Sequence, residues 1–176
     1  GIGAKRVEVK VADSSITRNY SQIISLISNS PLSANVRERG IAVFEEIAAA
    51  EDEIHGCPKE KVHFHELGGV DSIVDIVGTV LCIEYLGITR ISASRIPVGS
   101  GFVKCRHGIL PLPAPATVSI LKDVPVYGVD INHELVTPTG AAIVKALSVS
   151  FGNLPDMTIE KTGYGAGKYD SGNIPN

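Results

Sequence analysis

The sequence predicts an α/β domain, or an intermixed α+β variant of it, with a mixed sheet and flanking helices. Three observations predict it. Strand-like and helix-like segments alternate along most of the chain. There is no internal repeat and no low-complexity tract. The 176 residues, 44% hydrophobic and 20% charged, suit one ordinary globular domain over 1–176. The helical segments before residue 60 leave room for a small helical subdomain over 19–58.

Residues 6–12, RVEVKVA, alternate and read as a strand. Tyr20, Ile23, Ile24 and Ile27 recur at helical spacing over 20–28. A longer amphipathic helix is expected over 33–50, with Val36, Val43, Phe44 and Ile47 on one face and Ser33 as N-cap. His55-Gly56, with Pro58 soon after, marks a stop. A strand at 61–66, a helix at 71–86 and a strand at 90–97 follow. Gly-Ser-Gly (99–101) leads into a strand or hairpin arm, and the Pro-rich run Pro111, Pro113, Pro115 is extended before a helix near 114–122. Short strands are expected at 126–129 and 134–137. Thr137-Pro138 opens a helix to about Phe151, and a last strand over 157–162 enters GYGAG at 163–167.

Bulk properties narrow the function classes. A net charge of −3 gives no basic footprint, so nucleic acid is not an expected partner. The longest apolar stretch, Ile73 to Leu86, contains Asp75 and Glu84 and is too short to span a bilayer. Cys57, Cys82 and Cys105 form no CxxC pair, which argues against a disulfide framework or zinc knuckle and for a reducing cytoplasm. The start GIGAKRVEVKVA lacks an initiator Met and the end is SGNIPN, so an excised piece of a longer chain is expected.

The chemistry concentrates in KVHFHELGGVDSIVDIVG, residues 61–78. On a strand His63 and His65 project to one face, with Phe64 on the other. Glu66 follows, then a Gly-Gly turn. At roughly 100° per residue, Asp71, Ser72, Asp75, Gly78, Thr79 and Cys82 form a narrow polar stripe on a helix otherwise apolar nearly all round. Such a helix is expected to be buried on most of its circumference, and a buried Asp75 needs a cation, a donor or a proton. Imidazole with carboxylate suits first-row divalent metals. The competing reading makes Asp71 or Ser72 an N-cap, with Asp75 completing a capping box and the histidines neutral strand residues.

Three further stretches offer candidates. In GSGFVKCRHG, Cys105 and His107 share a face if the segment is one strand and would make good ligands for nickel or zinc; otherwise it is a glycine hairpin and a surface strand. In HELVTPTGAA, Thr137 caps a helix with Pro138 first inside it. Thr139 and Gly140 there leave amides and a hydroxyl at a helix start that also suits a phosphate. Glu134 reads as isolated and at the surface. In GYGAG, Gly163 and Gly165 permit close backbone approach by a ligand, with Lys161 and Lys168 beside them, although no helix follows to make a dinucleotide fingerprint.

VHFHELGGVDSIVDIVG, IPVGSGFVKCRHGILPLPAPAT, ELVTPTGAAIVKAL and EKTGYGAGKYD, four blocks in one order over about residues 36–176, resemble the nickel-insertion proteins (LarC family) that mature the nickel-pincer cofactor of lactate racemase. The resemblance implies a nickel chelatase, or cyclometallase, that places Ni(2+) into pyridinium-3,5-bisthiocarboxylic acid mononucleotide, with CTP and Mn(2+) or Mg(2+) required by the full-length protein. It implies the pyridinium mononucleotide precursor and the other lactate racemase maturation proteins as partners, in the cytoplasm, and a homo-oligomer. Carried onto this chain, it makes the block of His63, His65, Glu66, Asp71 and Asp75 the strongest metal-handling candidate, with His107 next, and leaves open which of them bind nickel; the expectation is His63, His65, Glu66 and Asp71 as metal ligands and Asp75 or His107 as the base. The turn from Thr137 through Thr139 to Gly140, with Gly163 and Gly165, becomes the candidate cofactor-binding set. Two family features have no counterpart here: an FSGISGDM-like loop after a first strand, and a His-rich run before the first amphipathic helix, where this chain has ADSSITRNYSQ. The family's C-terminal region, the first place to assign nucleotide binding, is also missing. Two rival functions stay open on the residues alone: a metal-dependent phosphoester hydrolase using HxH and Asp, and a non-catalytic scaffold.

Overall fold

A computed structural model of the chain describes residues 3–10, 18–56, 69–105 and 108–167. Its helices are α1 (Tyr20–Ser28), α2 (Ala34–His55), α3 (Val70–Tyr85), α4 (Pro115–Ile120) and α5 (Pro138–Leu147). Its strands are β1 (Ser92–Ala93), β2 (Ile96–Val98), β3 (Phe102–Cys105), β4 (Gly108–Pro111), β5 (Val126–Gly128) and β6 (Ser150–Phe151). This is an α/β architecture with flanking helices. Its strands pair as parallel β1–β6, parallel β2–β5 and the antiparallel hairpin β3–β4. A parallel pair needs a crossover connection. α4 lies in the chain between β2 and β5, and α5 lies just ahead of β6.

Local chemistry accounts for the helix limits. Asn19 and Gln22 form a reciprocal capping box at the start of α1, with both hydrogen bonds at 2.9 Å. The Ser33 hydroxyl accepts from the Val36 amide at 3.2 Å and caps α2. α2 ends where Gly56 takes φ 61°, a left-handed conformation that glycine adopts without steric cost. Thr137 caps α5 through the Gly140 amide at 3.2 Å, with Pro138 in the first turn.

α2 is the central element and packs against α1, α3, α4 and α5. Val36, Val43, Phe44 and Ile47 are buried on it, which is the face the spacing predicts. The core joins them to Ile23 and Ile27 of α1, Ile76 of α3, Ile120 of α4 and Ala141 and Ala142 of α5. α3 lies antiparallel to α2. Ser33, at the start of α2, donates to both Glu84 carboxylate oxygens at 2.9 and 2.7 Å, and Asn35 Nδ2 donates to Oε2 at 2.9 Å. In the middle of the pair, Gly40 of α2 lies against Val77 of α3.

Several expected elements differ. Among the described residues, 6–10 form no strand; Lys5 alone bridges to Gly165. The expected strand at 61–66 lies outside the described residues. The strand at 90–97 is divided into β1 and β2. Residues 134–137 form no strand, because they lead into the α5 cap. α5 stops at Leu147, and Phe151 lies in β6 instead. Residues 157–162 find no strand partner.

α3 is the largest departure. It is not buried nearly all round: only Ser72, Ile76 and Val80 are buried, while Val74, Leu81 and Tyr85 are exposed. The helix packs chiefly against α2, with a smaller contact to α5, so its apolar composition exceeds what these neighbours cover. Asp75 is therefore exposed and has no burial cost to offset. Glu84, the one charge that breaks the apolar circumference, is explained by its contact with the start of α2. There a carboxylate is favoured by the helix dipole of α2, offsetting its unfavourable place at the end of α3.

Candidate functional site

One end of the α2–α3 pair opens on a cavity of about 450 Å³. That volume falls within the range of small-molecule sites, roughly 300–1,000 Å³. Four helix ends meet around it. Asp71, Ser72 and Asp75 come from the start of α3, and Thr137, Pro138 and Thr139 from the start of α5. Ala114, Pro115 and Ala116 come from the start of α4, and Glu51, Ile54 and His55 from the end of α2. The hairpin supplies an apolar wall of Val103, Cys105 and Leu110, and Glu134 completes the lining.

Strand alternation explains the hairpin's part. Val103 pairs with Leu110, and Phe102 with Pro111. Val103 and Leu110 share the cavity face, while Phe102 (75% exposed) and Ile109 (71%) point away. The base of the hairpin is fixed by backbone approach. A Cβ at Gly99 would collide with the carbonyl oxygens of Ile131 and His133, so this turn admits only glycine without displacing the main chain. Ser100 donates its amide to the Ile131 carbonyl at 2.9 Å, and Leu112 donates to Gly101 at 2.9 Å. Gly99–Gly101 lead from β2 into β3, and β3 pairs with β4 rather than with β2, so these glycines do not form the turn of the hairpin.

The α3 start is built differently from either capping expectation. Gly69 is the N-cap and makes no side-chain bond; Asp71 stands in the first turn. Its Oδ1 occupies the space a Cβ on Gly69 would take, so the carboxylate is folded back over the glycine. A carboxylate in a first helical turn is favoured by the exposed amides there. Asp75, one turn on, lines the same cavity, and its own carbonyl accepts from Thr79 Oγ1 at 2.6 Å.

At α5 the expected pair of open amides is reduced. Pro138 has no N–H, and the Gly140 N–H is held by Thr137 Oγ1. That leaves the Thr139 amide and hydroxyl, half-buried at the cavity edge. At α2, His55 Nε2 lies 3.1 Å from Glu51 Oε2, one turn apart. The Glu51 side chain is 14% exposed and that of His55 39%.

Of the residues named from sequence, Asp71, Asp75, Thr137 and Thr139 are thus brought together, with Gly140 directly behind Thr137. Gly163 and Gly165 are not in the lining. They sit in open space beside the Lys5 segment, which donates to the Tyr164 carbonyl at 2.9 Å and accepts from the Ala166 amide at 2.8 Å. His63, His65, Glu66 and His107, like Lys168, lie outside the described residues. Among the described residues no three His, Cys, Asp or Glu side chains stand close enough to hold one metal ion. Glu51, His55 and Glu134 were not singled out from sequence. His55 read only as a helix stop, and Glu134 as isolated surface, although it is half-buried against the cavity.

A family model described as "Nickel insertion protein" matches residues 1–176, the whole chain and more than the four sequence blocks covered. The chain belongs to the nickel insertion protein family. Among its curated relatives is a Syntrophobacter fumaroxidans protein named "Putative nickel insertion protein", 51% identical over 175 residues, which are 99% of this chain and 45% of that protein. Another is the "Pyridinium-3,5-bisthiocarboxylic acid mononucleotide nickel insertion protein" of Desulfitobacterium hafniense strain DCB-2, 47% identical over 176 residues, all of this chain and 44% of that protein. The chain therefore spans under half the length of the family members it matches. No solved structure matches it. No helix among the described residues is long and apolar enough to cross a membrane.

Proposed function

We propose that this chain is the nickel-handling part of a cytoplasmic chelatase that inserts Ni(2+) into pyridinium-3,5-bisthiocarboxylic acid mononucleotide, serving lactate racemase maturation. The observation that carries this reading is the convergence of Asp71 and Asp75 with Thr137 and Thr139 on one cavity of small-molecule size. Family membership supplies the metal.

The division of labour follows from ligand chemistry. His63 and His65, as neutral imidazoles, hold the incoming nickel with Asp71 or Glu66. Thiocarboxylate sulfurs of the substrate are softer donors and take the metal over. As nickel bonds the ring carbon, that carbon's C–H bond breaks and its proton passes to a base, Asp75 or His107. The Thr139 amide and hydroxyl at the α5 start receive the substrate phosphate, while the apolar hairpin wall covers the ring. The CTP-dependent step, with its Mn(2+) or Mg(2+), falls to the remainder of the full-length protein.

Calorimetric titration of Ni(2+) into the wild-type chain, the double variant His63→Ala/His65→Ala and the double variant Asp71→Asn/Asp75→Asn tests the reading. Loss of roughly tenfold or more in affinity is expected for each pair, the scale of single coordination-sphere changes. Unchanged nickel affinity in both would sink it.

A further inference from the structure

α1 carries a second depression that shares no residue with the cavity described above. Ile23 and Ile27 face the core, whereas Gln22, Ser25, Leu26 and Asn29 are exposed. With Arg18 and Ser30 these four line a shallow groove of about 730 Å³. None of the lining residues is acidic. Arg18 is half-buried, and its Nη1 is shut off from solvent without a hydrogen-bond acceptor. A charged donor shielded from water and left unpaired is costly, and an acceptor brought to the groove relieves that cost.

The hydrogen bonds around α1 decide what kind of ligand the groove suits. Gln22 Oε1 accepts from the Asn19 amide at 2.9 Å. The Ser25 carbonyl accepts from the Asn29 amide at 3.0 Å and from Asn29 Nδ2 at 2.8 Å, and Ser25 Oγ accepts from the same Nδ2 at 3.2 Å. The Ser30 carbonyl accepts from Arg37 Nη1 at 3.4 Å. These bonds use up acceptors and leave donors beside Arg18, namely the Gln22 side-chain N–H groups and the Ser25 O–H. Asn29 Oδ1 is an acceptor that they leave open.

We propose that this groove is an oxyanion site, which takes the phosphate or carboxylate group of a small molecule on Arg18, Gln22 and Ser25. A guanidinium presents its N–H groups in a planar fork that matches such a group. Leu26, 48% exposed, offers apolar surface to the rest of the ligand. The competing account is a depression between polar side chains, and it predicts a response to ionic strength alone.

Sodium phosphate, sodium acetate and sodium chloride are titrated into the wild-type chain at matched ionic strength. Binding is read by proton–nitrogen NMR at the Arg18 Nε–H and the Gln22 side-chain amide. Saturable shifts at both groups are expected with phosphate or acetate and not with chloride. The tighter of the two oxyanions tells a phosphate ligand from a carboxylate one. Gln22→Glu keeps the oxygen that the α1 cap uses and puts a repelling charge where the donor stood. That variant and Arg18→Ala are each expected to weaken binding roughly tenfold or more. If Arg18→Ala does not fold, Arg18→Gln takes its place. Equal shifts with chloride, shifts confined to the start of α5, or wild-type affinity in both variants would overturn the proposal. None of these outcomes touches the nickel reading.

Discussion

α2 and α3 lie side by side, and both read as helices from their spacing, yet they do opposite things with their side chains. α2 is the more polar in composition and buries seven residues of its 22; α3 is richer in apolar residues and buries three of its 16. Burial is set by the number of neighbours. α2 has helices packed on several sides, while α3 packs chiefly on α2, with a smaller contact to α5, and leaves Tyr85 90% exposed. Apolar content alone is a poor guide to position. What α3 contributes to the core is Ile76 and Val80, with Glu84 joined to the start of α2 at one end and Asp71 and Asp75 lining the cavity at the other.

The sharpest way to break the comparison is to truncate one large side chain on each helix. Phe44→Ala in α2 removes a fully buried ring and should cost about 3–5 kcal/mol in denaturant unfolding. Tyr85→Ala in α3 should stay within about 0.5 kcal/mol of wild type. Equal losses would mean that α3 is held by its apolar face after all. A smaller effect is expected at the polar join. Ser33→Ala removes both the α2 cap and the donor to Glu84, at a cost of about 1 kcal/mol by the same unfolding measurement.

The smallest effect is one of pH. Hydrogen bonds from Asn35 and then Ser33 hold the Glu84 carboxyl below its ordinary value. A depressed carboxylate stabilises the fold above its unfolded pKa, near about 4.3, and that contribution is lost as pH falls through the lower folded value. Thermal melts of wild type and Glu84→Gln should differ at neutral pH and converge in acid. Parallel curves down to pH 2 would show that the carboxylate charge plays no part in joining the two helices.

These contrasts also explain how much could be read ahead of the structure. α1 and α2 were legible because the information is local: an i, i+3, i+4 apolar spacing, Ser33 at one end, Gly56 at the other. The α5 start was legible for the same reason, in Thr137-Pro138. The parallel strands were harder, since pairs only two or three residues long depend on partners some 30 to 60 positions away, such as Ile96 with Val126 and Ser92 with Ser150. Half of the described site was legible in the same local way, because Asp71, Asp75, Thr137 and Thr139 each mark a helix start. Glu51, His55 and Glu134 were not, because their nearness to Asp71 follows from the antiparallel packing of α2 on α3 and from the loop ahead of α5. Those are long-range facts with no local signature.

The clamp at Ser33, Asn35 and Glu84 has a mechanical consequence for the other end of the molecule. Thirteen residues separate Asp71 from Glu84, so an axial rise of about 1.5 Å per residue sets them roughly 20 Å apart on one stiff rod. Ile76 and Val80 hold the middle of the rod in the core, and the clamp adds an end stop. A slip of one ångström at Glu84 travels undiminished along the axis and shifts both cavity aspartates by the same ångström.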